Sequence, residues 1–132
     1  MPLDATTPVR IVMAAPAVAV GPATTLRGAA AVLDGEAIGA AVVPGPAGIE
    51  GVVSERDIVQ ALAAGADPDE ADVASAMAGD PLCVDPETPV GEVADLMLDT
   101  GVRHVPVVVG HDALGMVSIR DVLDVVARGR IS

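Results

Sequence analysis

The side chains best suited to chemistry come in two matching groups. GVVSERD, residues 51–57, returns as GMVSIRD, residues 115–121, so Ser54 and Asp57 have counterparts in Ser118 and Asp121, with Arg56 and Arg120 beside the acids. Ser-x-x-Asp ahead of an apolar run resembles a capping box, in which the serine oxygen accepts from an amide and the third residue reaches back. Such boxes prefer Glu or Gln at that third position, and Asp is shorter. The same pair also suits a sugar, because two ribose hydroxyls can donate to one aspartate while the serine completes the polar contact. Gly51 and Gly115 permit close approach along the preceding strand, and the helix start that follows offers amide donors to an anion. A cap in the free protein and a clamp around a ligand are compatible duties for one serine.

Other chemistry finds no support. Cys83, His104 and His111 have neither CxxC nor HxxxH spacing, so no metal site is expected. There is no Gly-x-Ser-x-Gly nucleophile turn and no Walker-type phosphate loop, so no catalytic residue is assigned and no enzyme activity is expected.

The elements that must carry these groups follow from a repeat. Sliding the chain on itself gives an ungapped match at a shift of 64: Met13-Ala14 falls on Met77-Ala78, Val20 on Val84, Pro22 on Pro86, Thr24 on Thr88, Ala30 on Ala94 and Val43 on Val107. Two copies, residues 9–66 and 73–130, flank an acidic linker, DPDEAD, residues 67–72. In the second copy Thr88-Pro89 predicts a helix start, capping residue then proline. Val90, Val93, Ala94 and Met97 share one face of that helix, as do Leu26, Ala29, Ala30 and Leu33 in the first copy. The helix should run to about Asp99, closed by a left-handed Gly101. The apolar runs HVPVVV and AAVV, each followed by a turn and then LGMVS or EGVVS, predict two buried strands. A second helix follows each serine, with Ile58 and Leu62, or Val122 and Val126, at helical spacing. AVAV and PLCVD suggest one further short strand at the start. The unit reads strand, helix, strand, strand, helix, twice over.

A chain of 132 residues, 52% hydrophobic, can bury a core, though without Phe, Tyr or Trp that core is Val, Leu, Ile, Met and Ala. Nineteen acidic residues against seven arginines leave a net charge of -12, which repels nucleic acid and anionic membrane. The lone Cys83 makes a reducing cytoplasm the default. VRIVMAAPAVAV imitates a signal peptide, but Asp4 and Pro16 interrupt the pattern and the segment has an internal copy, so no leader is expected. No stretch approaches the roughly 20 apolar residues of a membrane span, and a soluble protein is expected.

Met-Ala near the start, CVDPETPV, GVRHVPVVV and LGMVSIRDVL, with IGAAVV and GVVSERDIV in the first copy, resemble the cystathionine-beta-synthase (CBS) domain, and the duplication resembles a free-standing tandem CBS pair. The resemblance implies an α/β fold of two pseudo-twofold-related β-α-β-β-α repeats forming one compact pair with a cleft between them. It implies a regulatory or sensor role rather than catalysis, and an adenosine-containing ligand in that cleft: AMP, ADP or ATP, or alternatively S-adenosylmethionine. Carried over by position, Ser54, Asp57, Ser118 and Asp121 hold ribose. Arg103 gives phosphate a forked contact and His104 a donor that strengthens on protonation, with Arg56 and Arg120 as further sources of charge. Leu82, Cys83, Val105 and Pro106 are candidate walls for adenine. Gly39 and Ala40 stand where the second copy has Arg103 and His104, so the Asp121 site is expected to be better equipped. A homodimer through the helices and an unidentified protein partner are also implied. The remaining alternative is a ligand-independent structural or interaction module whose Ser-Asp motifs are only caps.

Overall fold

The computed structural model describes residues 2–131. It divides into two compact units, Val18–Pro81 (unit I) and Met1–Ala17 together with Leu82–Ser132 (unit II). Both are mixed α/β.

Unit I begins with helix α1 (Leu26–Glu36), whose start is fixed by the Thr25 hydroxyl accepting the Gly28 amide at 3.1 Å. Strands β1 (Ala40–Gly45) and β2 (Gly48–Ser54) form an antiparallel hairpin with a bulge between Val43 and Pro44. Helix α2 (Glu55–Ala63) follows, then a one-turn helix α3 (Val73–Ala76) and a two-residue strand β3 (Ala78–Gly79) on the far side of β2. The core comprises Val20, Ala29, Leu33, Ala41, Val43, Val53, Ile58 and Val73.

Unit II repeats the plan with helix α4 (Val90–Thr100), strands β4 (His104–Val109) and β5 (Asp112–Ser118), and helix α5 (Ile119–Ile131). The bulge recurs between Val107 and Val108. Val9, Val90, Val93, Met97, Val105, Val107, Val117, Val122 and Val125 make the core. Aliphatic side chains suffice because each sheet presents β-branched residues in register to a helix stripe.

Several local expectations are refined. Gly101 does close α4 in the left-handed region, at φ 77, while α1 is closed by Ala37 at φ 54, a position where a side chain is strained. The Thr88-Pro89 signal is displaced by one residue: Pro89 is itself the extended cap and no side chain caps α4. The orphan amides of Val90 and Gly91 instead donate to the carbonyls of Thr7 and Ala5, both at 2.9 Å. The early strands shrink to single parallel bridges, Ala19 to Val42 and Val84 to Val107. Of the residues at helical spacing in the second helices, Ile58 and Val122 turn inward, joined by Val125, whereas Leu62 and Val126 remain exposed.

The spatial units are cut differently from the sequence repeats. Val9, which opens the first repeat, is wholly buried in the core of unit II, and Val73, which opens the second, is wholly buried in the core of unit I. The anchoring bonds are reciprocal: Val9 N donates to Thr88 O at 2.8 Å and Arg10 N to Pro86 O at 3.1 Å, just as Val73 N donates to Thr24 O at 2.8 Å and Ala74 N to Pro22 O at 2.9 Å. The acidic stretch is held against the start of α1 by Leu26 N to Ala71 O, Arg27 N to Pro68 O and an Arg27–Asp69 ion pair. No helix among the described residues is long and apolar enough to cross a membrane.

Candidate functional site

Each Ser-Asp motif forms a corner where a strand passes directly into a helix. In unit I, β2 ends at Ser54 and α2 begins at Glu55. The Ser54 hydroxyl accepts the Asp57 amide at 3.1 Å and Asp57 Oδ2 accepts the Ser54 amide at 2.8 Å, a complete capping box despite the short aspartate. In unit II the Asp121 amide donates to Ser118 Oγ at 3.2 Å and the Ser118 amide to Asp121 Oδ2 at 2.8 Å. There the Ser118 hydroxyl also donates to Asp121 Oδ2, at 3.0 Å. All four side chains are half-buried, and Oδ1 of each aspartate accepts no hydrogen bond among the described residues.

Two arguments from sequence change here. The close approach at Gly51 and Gly115 is made by the protein itself. A Cβ on Gly51 would stand 2.6 Å from Met77 Sδ and 2.8 Å from the Ala78 carbonyl; one on Gly115 would stand 2.6 Å from the Ala14 carbonyl and 2.8 Å from Met13 Sδ. The glycines therefore admit the two Met-Ala segments onto the strands. The helix-start amides are also partly occupied, since Glu55 N donates to Gly39 O at 2.9 Å and Ile119 N to Arg103 O at 2.8 Å.

Around Ser118 and Asp121 the sheet register sets His104 directly across from Ser118, and the Arg103 backbone closes the start of α5. Arg120 is exposed on the first turn of α5 and Arg103 is exposed just before β4. Around Ser54 and Asp57, the residue across from Ser54 is Ala40, and Arg56 is exposed on α2. Among the described residues Arg10, Arg27 and Arg128 form ion pairs, with Glu87, Asp69 and Asp124; Arg56, Arg103 and Arg120 form none. An open depression along the outer face of α5 is lined by Arg120, Asp121, Leu123, Asp124 and Ala127.

Of the candidate adenine walls, two lie inside unit II and two at its surface. Val105 is wholly buried in the unit II core and Pro106 is fully buried, its carbonyl accepting from Val84 N at 3.0 Å. Leu82 and Cys83 are exposed on the segment that leads to this bridge. Although Cys83 is exposed as a residue, partial desolvation of its thiol pushes the pKa above the ordinary value, so it is protonated at neutral pH. No group of three metal-ligating side chains occurs among the described residues. The grip of Met13 and Met77 on the strands went unread in the sequence; the signal available was the shared 64-residue spacing of the Met-Ala pairs and the glycines.

A family model described as the CBS domain matches residues 9–64 and 71–128. Hypoxic response protein 1 of Mycobacterium tuberculosis is 35% identical over 119 residues, 88% of this chain and 82% of its own length. A crystal structure of Hypoxic Response Protein I with two coordinated zinc ions superposes with a TM-score of 0.77 at 32% identity, covering 89% of this chain and 98% of that one. A CBS-domain protein from Agrobacterium tumefaciens matches at 30% identity and a TM-score of 0.81, over 89% and 98% of the two chains. A CBS domain pair solved in complex with 5′-methylthioadenosine and S-adenosyl-L-methionine shares the fold, with a TM-score of 0.84 at 21% identity over 98% and 99%. Matches to proteins of Methanopyrus kandleri and Acidianus ambivalens span only 39% and 44% of those relatives' lengths.

Proposed function

The chain belongs to the CBS domain family, and from that premise we propose that it is a regulatory CBS pair that holds an adenine nucleotide, AMP, ADP or ATP, at its Ser-Asp corners. One observation carries the reading. In a chain with nineteen acidic residues, the three described arginines without an ion pair all stand at these corners, each corner also presenting an aspartate oxygen with no hydrogen-bond partner among the described residues. The aspartate accepts from ribose hydroxyls while the arginines meet phosphate, Arg103 and Arg120 beside Asp121 and Arg56 beside Asp57. Ligand acts as a signal by favouring one conformation, which requires unequal affinity for the alternatives. The protein works in the cytoplasm without catalysis, as a homodimer; the exposed Val59, Leu62, Leu123 and Val126 support association through α2 and α5.

A second reading attaches to the Ser54–Asp57 corner. With Gly39 and Ala40 where the other corner has Arg103 and His104, it suits a less anionic adenosine such as S-adenosylmethionine.

Thermal denaturation with AMP, ADP, ATP and S-adenosylmethionine tests both. A nucleotide at a hundred times its dissociation constant should stabilise the protein by roughly 2.7 kcal/mol, and Asp121→Ala should abolish the shift while keeping the fold. A response to S-adenosylmethionine alone, removed by Asp57→Ala, would favour the second reading. No response to any of the four would leave a structural module with capped helices.

A further inference from the structure

Each strand that leads to a Ser-Asp corner is gripped three residues before its serine by a segment from the other repeat. On β2, Gly79 pairs with Gly51 and Ala78 with Val52, while Met77 lies over Gly51. On β5, Ala14 exchanges both backbone hydrogen bonds with Met116 at 2.9 Å, while Met13 lies over Gly115. The gripping segments then run on, by covalent continuity, into the opposite unit. Five residues after Gly79, Val84 donates to Pro106 O at 3.0 Å and accepts from Val108 N at 2.9 Å on β4. A few residues after Ala14, Val18 O accepts from Val42 N at 2.9 Å and Val20 N donates to Val42 O at 3.0 Å on β1. Both crossings therefore join the strand before one corner to the first strand of the other sheet.

We infer that these two Met-Ala crossings are the conformational coupling of the pair. A shift of β5 at Gly115 moves Met13-Ala14 and, through the chain, loosens the bridge on β1; a shift of β2 at Gly51 does the same to β4. Glycine is required at both grips because the facing atom is a carbonyl oxygen that cannot rotate aside as a side chain can.

The inference does not depend on a ligand, so it is tested on the ligand-free full-length protein by residue-resolved amide hydrogen exchange. Gly115→Ala should accelerate exchange at Ala14 and Met116 and, in unit I, at Val20 and Val42, by about tenfold, leaving Ala29 of α1 unchanged. Gly35→Ala, where an added methyl meets nothing within 4 Å, should change none of these amides. Acceleration confined to Ala14 and Met116, or no acceleration there, overturns the coupling. So does a uniform increase that includes Ala29, which marks a loss of global stability. If Gly115→Ala does not fold, Met13→Ala keeps the glycine and weakens the same grip, and the same amides decide.

Discussion

Asp121 holds the Ser118 amide at 2.8 Å and the Ser118 hydroxyl at 3.0 Å through one oxygen, Oδ2, which leaves Oδ1 as its available acceptor. Cap and ligand can thus share the carboxylate, and substitutions separate the two duties. Ser54→Ala removes only the acceptor for the Asp57 amide and should lower unfolding stability by about 1 kcal/mol, read from the urea midpoint at constant slope. Asp121→Asn retains an oxygen for the Ser118 amide but loses the charge, so its melting temperature should fall little, while the nucleotide response proposed above should disappear. Cys83 offers a pH test. With its pKa raised by burial, its alkylation rate should climb only at a higher pH than that of an ordinary thiol, whereas a lowered profile would contradict the burial. At this scale the sequence was legible for Ser54, Asp57, Ser118 and Asp121, because a capping box is local in the chain. It was misleading for Gly51 and Gly115, whose partners Met77 and Met13 lie far enough away that only folding brings them together.

Among the elements, the helix ends differ between the two copies in a way that stability can report. Ala37 closes α1 at φ 54 and ψ 45, where an L side chain is strained, while Gly101 closes α4 at φ 77 without cost. Ala37→Gly should stabilise the protein and Gly101→Ala destabilise it, each by about 1 kcal/mol in denaturant titration. Equal and negligible effects would show that the last turns fray. The helix stripes were legible because Leu26, Ala29 and Leu33, or Val90, Val93 and Met97, follow the 3.6-residue period. The start of α4 was less so. Its first amides bond to Thr7 and Ala5, partners that no pattern around Thr88-Pro89 could announce.

Across the whole molecule, a net charge of -12 in so short a chain makes self-repulsion a standing cost of folding. Screening reaches about 10 Å at 0.1 M salt, so the melting temperature should rise as sodium chloride is increased from low ionic strength, and a fall would show that ion pairs dominate. The Arg27–Asp69 pair at the packed acidic stretch lowers the Asp69 pKa, mainly through the hydrogen bond from Arg27. A carboxyl depressed in the folded state contributes stability above its unfolded pKa and loses it as pH falls through the folded one. Taken alone, the sequence determined the duplication, the order of the long helices and hairpin strands within each copy, the family and the chemical type of the corner residues, since all of these are written in local order and fixed spacing. Tertiary structure alone decided which copy each Met-Ala segment completes, why glycine precedes each corner, that Val105 and Pro106 are buried, and which of the described arginines stay without an ion pair. Those outcomes depend on contacts between residues distant along the chain, made or refused by packing, and a periodic pattern holds no record of them.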